Sequence, residues 1–205
     1  MASTRPVVYR RVTMARALPG PNRRLRVIGF DDAPWRRTRP VVHVSGVVCA
    51  GTRFEGMVWG QVEHDGWDST EVIAGLVTRS KYARQIHALL LDGITVGGLN
   101  LVDLPALAGS IGRPCIAVMR KEPDLEAMTR AIELLPEPDR RLDRLHRAGA
   151  IHKRPPFVFQ VAGLEPDLAH EVLVRTTDRG HVPEALRLAH LIGSAVIDGQ
   201  SRGRA

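Results

Sequence analysis

The chain has 205 residues, of which 44% are hydrophobic and 25% are charged, so it can bury the core of one globular domain and lacks the composition of a disordered chain. It has no apolar run near the roughly 20 residues that span a bilayer, and no signal-peptide core follows its N-terminal arginines, so we expect a cytoplasmic protein without a membrane partner. Two cysteines, Cys49 and Cys115, are too few for a disulfide framework or a zinc site.

The positive charge is concentrated near the N-terminus. The formal net charge is +7, and the first 40 residues contain ten arginines against only Asp31 and Asp32. Residues 1–23 show no sustained hydrophobic period and end near a Pro-Gly-Pro breaker, which predicts a basic, flexible arm followed by a single domain over residues 24–205. Such an arm either pairs with phosphates, which makes binding salt-dependent, or is a solvated tail; charge alone leaves both interpretations open.

The body of the chain begins with three valine-rich segments bounded by proline and glycine, which predict an antiparallel meander over residues 25–31, 41–50 and 54–62. Apolar residues then recur at helical spacing around 72–77, and short apolar runs alternate with helical segments. These patterns predict strands at 86–91, 114–119 and 157–161, and helices at 99–111, 125–134, 139–148, 167–176 and 183–196. This alternation through short turns indicates parallel strands with crossover helices.

Three antiparallel strands followed by alternating helix and parallel strand are the order of the ribonuclease H-like fold. We therefore expect an α/β protein with a ribonuclease H-like mixed sheet flanked by helices. This fold hosts unrelated activities, so the function has to be argued from the side chains at the site.

Acidic residues stand at the ends of two predicted strands. Asp31 and Asp32 follow the first strand, and Asp92 follows the apolar run Leu89-Leu90-Leu91. A carboxylate in such a place is costly unless it is solvated, paired or bound to a metal, and the carboxyl ends of strands in open α/β sheets are where ligands bind. Each segment can also be read as an ordinary turn, because aspartate and glycine both favour turns.

A third acidic segment, Asp68-Ser69-Thr70-Glu71, precedes the first predicted helix. Taken alone it is close to a capping box, with Asp68 as the N-cap and Glu71 three residues later. Taken with the strand ends, which lie about 4.8 Å apart on neighbouring strands, it would bring carboxylates to one hard divalent cation. Magnesium is then the expected ion, and hydrolysis of a phosphodiester is the reaction that fits.

Three further side chains are candidates for the same site. Lys121 follows the strand at 114–119 and would emerge on the same edge as Asp92, where it could neutralise a phosphate; an exposed turn lysine would look the same in sequence. His190 lies on the inward face of the closing helix and is either a satisfied core histidine or a proton-transfer group. Trp67 adjoins Asp68 and could stack on a base.

Several segments resemble one family, endonuclease V and its archaeal endonuclease V-like relatives. The likeness extends from about residue 24 to residue 204. It is carried by Val27-Ile28-Gly29-Phe30-Asp31-Asp32, Leu91-Asp92-Gly93-Ile94-Thr95, Pro114-Cys115-Ile116-Ala117-Val118 and Pro183-Glu184-Ala185-Leu186-Arg187-Leu188-Ala189-His190. Endonuclease V has a ribonuclease H-like fold and uses magnesium to cut nucleic acid near deaminated bases. The resemblance therefore implies a metal-dependent endonuclease of the DNA repair type.

The resemblance also assigns the metal ligands. Asp31 matches the first-strand aspartate of endonuclease V, Glu71 matches its glutamate, and Asp92 matches the aspartate of its Asp-Gly motif. Asp32 and Asp68 are the alternative ligands, and Asp68 could share or replace the role of Glu71. The implied cofactor is Mg²⁺, with Mn²⁺ as a substitute.

Other roles implied by the resemblance concern catalysis and binding. The separation of Asp92 from Lys121 resembles the spacing in the family, and His190 ends the motif where endonuclease V carries histidine or aspartate, so both join the catalytic candidates. The implied partner is nucleic acid, with DNA containing a deaminated base as the first expectation. The residues expected to contact it are Trp67, Lys81, Tyr82, Arg120 and Arg187.

One segment departs from endonuclease V. That family has a Pro-Tyr-Ile-Pro-Gly wedge before its glutamate, whereas this chain has His64-Asp65-Gly66-Trp67-Asp68, which resembles the archaeal branch, as does Arg79-Ser80-Lys81-Tyr82. Inosine recognition therefore does not follow from the resemblance, and deoxyuridine, deoxyinosine and an RNA lesion all stay open. Two other functions also stay open: a non-catalytic nucleic-acid-binding module of the same fold, and a hydrolase of small phosphorylated nucleotides.

Overall fold

The computed structural model of the chain describes residues 18–20, 23–36 and 38–202. Most of the predicted arm lies outside the described residues, so its flexibility and its boundary with the domain stay predictions. The described part of the arm is held by the Arg175 guanidinium, which donates hydrogen bonds to the carbonyl oxygens of Pro19, Gly20 and Arg23 at 2.9, 3.1 and 2.9 Å. This contact fixes the place where the chain enters the domain.

One mixed sheet organises the described residues. Its strands, together with a separate short hairpin (β5 and β6), are β1 Arg26–Asp32, β2 Val41–Ala50, β3 Arg53–Glu63, β4 Ala88–Asp92, β5 Thr95–Val96, β6 Asn100–Leu101, β7 Cys115–Met119, β8 His152–Arg154 and β9 Phe157–Ala162. The helices are α1 Ser69–Thr78, α2 Leu104–Ile111, α3 Leu125–Glu133, α4 Pro138–Arg147, α5 Pro166–Arg175 and α6 Glu184–Asp198. The sheet has the order β3-β2-β1-β4-β7-β9-β8, in which β1, β4 and β7 are parallel and the other pairs are antiparallel. The predicted mixed α/β sheet is confirmed.

Hydrophobic side chains cover both faces of the sheet. Phe30 of β1 and Leu91 of β4 belong to one buried cluster, which includes residues of α1 and α2. Val27 and Leu90 belong to a second cluster, which includes residues of α5 and α6. Because successive side chains of a strand point to opposite faces, the residue after Phe30 and the residue after Leu91 both face α6.

The predicted helix over residues 99–111 is wrong at its start. Asn100–Leu101 pairs instead with Thr95–Val96 in a hairpin, whose turn residues Gly97 and Gly98 have φ values of +62° and +88°. The helix begins at Leu104, since the Asp103 side chain caps it by accepting a hydrogen bond from the Ala106 N–H at 3.1 Å. A two-glycine turn and a cap determine the structure here more strongly than apolar spacing.

Two other findings concern a strand that the sequence does not predict and the length of the helices. Strand β8 was not predicted, because its His-Lys-Arg sequence has no apolar alternation, and it joins the sheet by pairing with β9. None of the described helices is both long and apolar enough to cross a bilayer. The cytoplasmic location stays a prediction.

Candidate active site

Two carboxylates meet at one edge of the sheet because their strands are parallel neighbours. Phe30 pairs with Leu91, so the next residues, Asp31 and Asp92, lie at the same level near the carboxyl ends of adjacent strands. Both side chains face α6 by the alternation of the strands. Asp31 is only 6% exposed, and Asp92 is half-buried. The structure thus brings together two of the three metal ligands predicted from sequence.

Helix α6 brings a histidine to this pair. His190 Nδ1 lies 2.9 Å from Asp31 Oδ2, and the His190 side chain is 27% exposed, so it faces the site and not the core. The helix comes this close because Gly29 has no side chain: a Cβ there would lie 2.8 Å from backbone atoms of Ala185 and Leu186. Two such atoms at 2.9 Å need a hydrogen between them, so Asp31 and His190 are joined by a hydrogen bond.

The negative charge of this cluster is only partly compensated. Burial raises the pKa of Asp31 to about 8, and the negative charges of Asp92 and Asp32 add to the rise, while Arg120 opposes it. A buried carboxylate beside other carboxylates takes up a proton because a second negative charge is costly there. The same feature makes the site attractive to a cation.

The Asp32 side chain points to the opposite face of the sheet from Asp31 and makes hydrogen bonds to neighbouring loops. Its Oδ2 accepts hydrogen bonds from the Trp35 indole Nε1–H and from the Gly97 backbone N–H, both at 3.0 Å. Burial raises the pKa of Asp32, and these hydrogen bonds oppose the rise. Asp32 therefore fixes the β1–β2 connection and the β5–β6 turn beside the site.

Two cations follow β7 at the same edge. Arg120 Nη2 lies 3.1 Å from Asp92 Oδ2, but the Arg120 side chain is 47% exposed, so water screens the pair. Lys121 is the next residue and is exposed. The carboxylates and Arg120 surround a cleft of about 250 Å³, whose lining residues are Asp31, Asp32, Ala33, Pro34, Trp35, Asp92, Arg120 and His190.

Comparison with known proteins assigns the family. The family model described as endonuclease dU matches residues 23–197. The chain belongs to the endonuclease dU family. A UPF0215 protein of Methanothermobacter thermautotrophicus is 40% identical over 187 residues, which is 88% of this chain and 92% of the relative. A UPF0215 protein of Methanopyrus kandleri is 38% identical over 184 residues, which is 86% of this chain and 93% of the relative. The predicted membership of an archaeal endonuclease V-like family is confirmed.

Solved structures agree with this assignment. A protein of unknown function from Archaeoglobus fulgidus has a TM-score of 0.81 at 35% identity, over 84% of this chain and 98% of that chain. Endonuclease V from Bacillus subtilis has a TM-score of 0.53 at 12% identity, over 85% of this chain and 81% of that chain. Endonuclease V from Ciona intestinalis has a TM-score of 0.51 at 14% identity, over 81% of this chain and 83% of that chain. These last two show the fold, and the ribonuclease H-like prediction is confirmed. Membership of the endonuclease dU family adds the coarse function, a nuclease that acts on nucleic acid.

The helix-side ligand expected from the resemblance is not at the cleft. Glu71 lies in the first turn of α1, is solvent-exposed and does not line the cleft. Asp68 occupies the N-cap position without a side-chain cap hydrogen bond; its Oδ1 accepts from the Glu63 N–H at 3.0 Å and from Asn100 Nδ2 at 2.7 Å. The prediction of Asp68 as the N-cap residue is therefore confirmed, and the prediction of a capping box is wrong. Across residues 18–20, 23–36 and 38–202, no group of three or more His, Cys, Asp and Glu side chains is placed to hold a metal.

Trp67 is engaged inside the protein and not at the cleft. The guanidinium carbons of Arg140, Arg141 and Arg144, all from α4, lie 4.1, 4.4 and 4.8 Å from the centre of its ring. The Trp67 carbonyl also accepts a hydrogen bond from Arg144 at 3.1 Å. A ring that packs against three guanidinium groups is not free to stack on a base, so the structure gives Trp67 a packing role.

The other predicted contacts with nucleic acid lie away from the cleft as well. Tyr82 is 9% exposed, and its hydroxyl donates to the Glu55 carbonyl at 3.4 Å, while Lys81 lies over its ring. Glu55 is near the start of β3, at the edge of the sheet opposite the cleft. Arg187 makes a two-point ion pair with Glu184 within α6, which raises the pKa of Arg187. Of the five predicted contacts, only Arg120 lines the cleft.

Sequence reasoning missed one residue of the site. Trp35 lines the cleft and donates to Asp32, three residues earlier in the chain. An aromatic residue so soon after a candidate ligand, in a connection broken by Pro34, was a usable signal. The pairing of Arg120 with Asp92 had no such signal, because it depends on the register of β4 with β7.

Proposed function

We propose that this chain is a metal-dependent endonuclease that hydrolyses a phosphodiester bond at or near a deaminated base in DNA. The observation that carries the proposal is the pair Asp31 and Asp92, two adjacent carboxylates that line an open cleft, of which the buried one has its pKa raised to about 8. A site with negative charge in excess is suited to a ligand that brings positive charge.

The donor set fits Mg²⁺, with Mn²⁺ as a substitute. Proteins bind magnesium through one or two carboxylates, and water and substrate phosphate oxygens complete its shell, so Asp31 and Asp92 are sufficient protein ligands. Such an ion, held by Asp31 and Asp92, would supply activation of water and stabilisation of the negative charge that develops on the phosphate oxygens. Glu71 is a proposed third ligand on the family resemblance alone.

The neighbouring side chains have roles that do not depend on the ion. His190 is hydrogen-bonded to Asp31 and is placed for general acid–base work. Arg120 and Lys121 offer positive charge to a phosphate oxygen at the mouth of the cleft. The exposed ion pair of Arg120 with Asp92 is weak enough to exchange for a phosphate contact.

The substrate class is supported by what the relatives' names state. The family is described as endonuclease dU, which favours deoxyuridine as the first substrate to test. Endonuclease V of Ciona intestinalis was crystallised with a DNA containing an inosine. Uracil and hypoxanthine are both products of base deamination, so a deaminated base is the class that the two names have in common.

The experiment is cleavage of end-labelled oligonucleotides that contain uracil or hypoxanthine, as DNA and as RNA, with magnesium or with chelator. Asp92→Asn is the matched control, because it keeps the shape of the side chain and removes its charge. We expect nicking by the wild-type protein with magnesium, and no nicking by the variant or in chelator. Equal nicking by wild type and variant on every substrate would contradict the proposal.

One further outcome separates the remaining functions. Tight, steeply salt-dependent binding without a cut, unchanged by chelator, would favour a nucleic-acid-binding module of the same fold. Hydrolysis of mononucleotides in place of oligonucleotides would favour a hydrolase of small phosphorylated nucleotides.

A further inference from the structure

A second pocket adjoins the cleft and has walls in common with it. It has a volume of about 490 Å³, within the range of roughly 300 to 1,000 Å³ that ligand pockets have. We call it the β1–β2 pocket, because the β1–β2 connection and the end of α6 form it; its main lining residues are Trp35, Arg36, Arg39, Val41, His43 and Ile197. The reaction proposed at Asp31 and Asp92 does not use it.

Trp35 connects the β1–β2 pocket to the cleft. Trp35 and Pro34 line both spaces, so they form the wall between them. The indole of Trp35 is held in place by its hydrogen bond to Asp32 at 3.0 Å and by the His64 ring, whose centre is 4.4 Å away. A ligand in the pocket therefore lies directly beside the position of the reacting phosphate.

The pocket offers positive charge beside apolar surface. Arg36 and Arg39 are exposed, and within the part of the chain that the structure describes neither guanidinium has an ion-pair partner. The carboxylate that lines the pocket, Asp198, is paired instead with Arg202 at 3.4 Å. On the apolar side, Val41 is 41% exposed and Ile197 is 40% exposed. Guanidinium groups beside apolar side chains are complementary to a phosphate attached to a base.

We infer that the β1–β2 pocket binds the nucleotide of the substrate strand that neighbours the scissile phosphodiester. Arg36 and Arg39 contact its backbone phosphates, and its base packs against Trp35 and the apolar rim. This inference rests on the proposed function, since it takes the cleft as the place of cutting. Continuity with the cleft favours a nucleotide of the same strand over a free nucleotide.

The opposite edge of the sheet carries the competing basic surface. Arg26, Arg53 and Lys81 line a pocket there, but Glu55 pairs with Arg26 at 2.5 Å and occupies part of it. Arg26 begins β1 and Asp31 lies five residues later, so a strand bound there would be about 17 Å from Asp31 at 3.3 Å per residue. The β1–β2 pocket is therefore the surface that can act on the reacting strand.

The test uses the full chain and measures both the affinity for DNA and how that affinity depends on the length of the oligonucleotide. Single-stranded DNA with one uracil is shortened stepwise from either end, and its affinity is measured by fluorescence anisotropy in magnesium, in an Asp92→Asn background that prevents cutting. The test variant is R36A/R39A, and R53A/R179A is the control, because it removes two exposed guanidinium groups far from the cleft. V41D is a second test variant, since it places a carboxylate at an exposed rim position.

We expect R36A/R39A to weaken binding at least tenfold. The slope of log Kd against the logarithm of the salt concentration should fall by about 1.4, which corresponds to two phosphate contacts on a single strand. Removing nucleotides on one side of the uracil should weaken binding by the Asp92→Asn parent but have no further effect on R36A/R39A. V41D should also weaken binding, and R53A/R179A should bind like the parent.

Two results would overturn the inference. One is equal affinity for R36A/R39A and R53A/R179A; the other is an unchanged length dependence in R36A/R39A. Cutting by the wild-type chain is measured separately, so these results remain distinct from a failure of the proposed function, which would appear as no cut in any substrate.

Discussion

Two regions of this protein bury charged groups, and they treat them in opposite ways. On α4, Arg141 is 3% exposed, and its guanidinium donates to the carbonyl oxygens of Asp65, Gly66, Leu99 and Pro136 at 2.6 to 3.3 Å. At the cleft, Asp31 is almost equally buried but faces other carboxylates, and its pKa is raised to about 8. Four hydrogen bonds satisfy the Arg141 charge, whereas Asp31 tends to keep a proton because a negative charge there is only partly compensated.

The difference distinguishes structure from function. A buried charge that is surrounded by hydrogen-bond partners holds elements together, and Arg141 with Arg144 fixes the segment 65–67 to α4. A buried ionisable group whose charge is poorly compensated lowers the free energy of unfolding. Such groups are kept where binding or catalysis needs them. Activity should therefore depend on the carboxylates, and stability should depend on the arginines.

The largest expected effect is on the rate. Asp92→Asn should lower the rate of magnesium-dependent cleavage by about 10³-fold or more, because it removes a ligand of the ion, while the free energy of unfolding should stay equal or rise, because it removes repulsion with Asp31. Cleavage of a uracil oligonucleotide and urea unfolding measure the two quantities. A variant that is both inactive and unstable would place Asp92 with the structural charges.

The second effect is on stability. Arg141→Ala should lower the free energy of unfolding by about 3 kcal/mol, because four carbonyl oxygens lose their donor. Arg140→Ala is the control from the same helix; it removes an exposed pair to Glu137 and an exposed guanidinium from the Trp67 ring, and should cost about 1 kcal/mol. Urea unfolding measures both. Equal costs would show that burial of Arg141 contributes nothing.

The third effect concerns pH. The pKa of Asp31 is raised in the folded state, so between about pH 4 and pH 8 the folded protein keeps a proton that the unfolded chain has lost, and stability without metal should fall as the pH rises through this window. In Asp31→Asn, the decrease in the free energy of unfolding between pH 5 and pH 8 should be smaller than in the wild type, by on the order of 2 kcal/mol. Unfolding in chelator at both pH values measures it.

Parallel pH profiles of the wild type and Asp31→Asn would contradict this prediction. In the wild type, magnesium at pH 8 should restore part of the stability, because an ion that binds only the folded state stabilises it. Asp31→Asn should not respond to magnesium in the same way.

The smallest effect concerns Lys121. Its exposed ammonium should contribute roughly tenfold to the cleavage rate through a phosphate oxygen, or about 1.4 kcal/mol, with no effect on stability. Lys153→Ala is the control, an exposed lysine that pairs with Glu122. The rates of the two variants at saturating magnesium decide the matter; equal rates would leave Lys121 as an ordinary surface residue.

Much of the fold could be predicted because its signals are local. The strands that carry Asp31 and Asp92 are continuous apolar runs, and the rule that parallel strands end at one edge is enough to bring the two carboxylates together. The hairpin that contains Asn100–Leu101 is not predicted, because apolar spacing over 99–111 imitates a helix, although Gly97 and Gly98 before it favour a turn.

The site could be predicted only where the backbone alone determines it. The packing of Trp67 against α4 and the burial of Tyr82 depend on contacts between residues distant in the chain, which no local pattern records. The same holds for Glu71, whose direction depends on how α1 is rotated against the sheet. Residue types suggested candidates in each case, and tertiary packing selected among them.

Gly29 has a consequence for how the site works. Because a Cβ at this position would overlap the backbone of Ala185 and Leu186, strand β1 and helix α6 touch main chain to main chain, with no compressible layer of side chains between them. The spacing between the Asp31 carboxylate and the His190 imidazole is therefore set by backbone thickness, which thermal motion changes little. The reacting group therefore meets a separation of β1 and α6 that close backbone packing sets before the substrate binds.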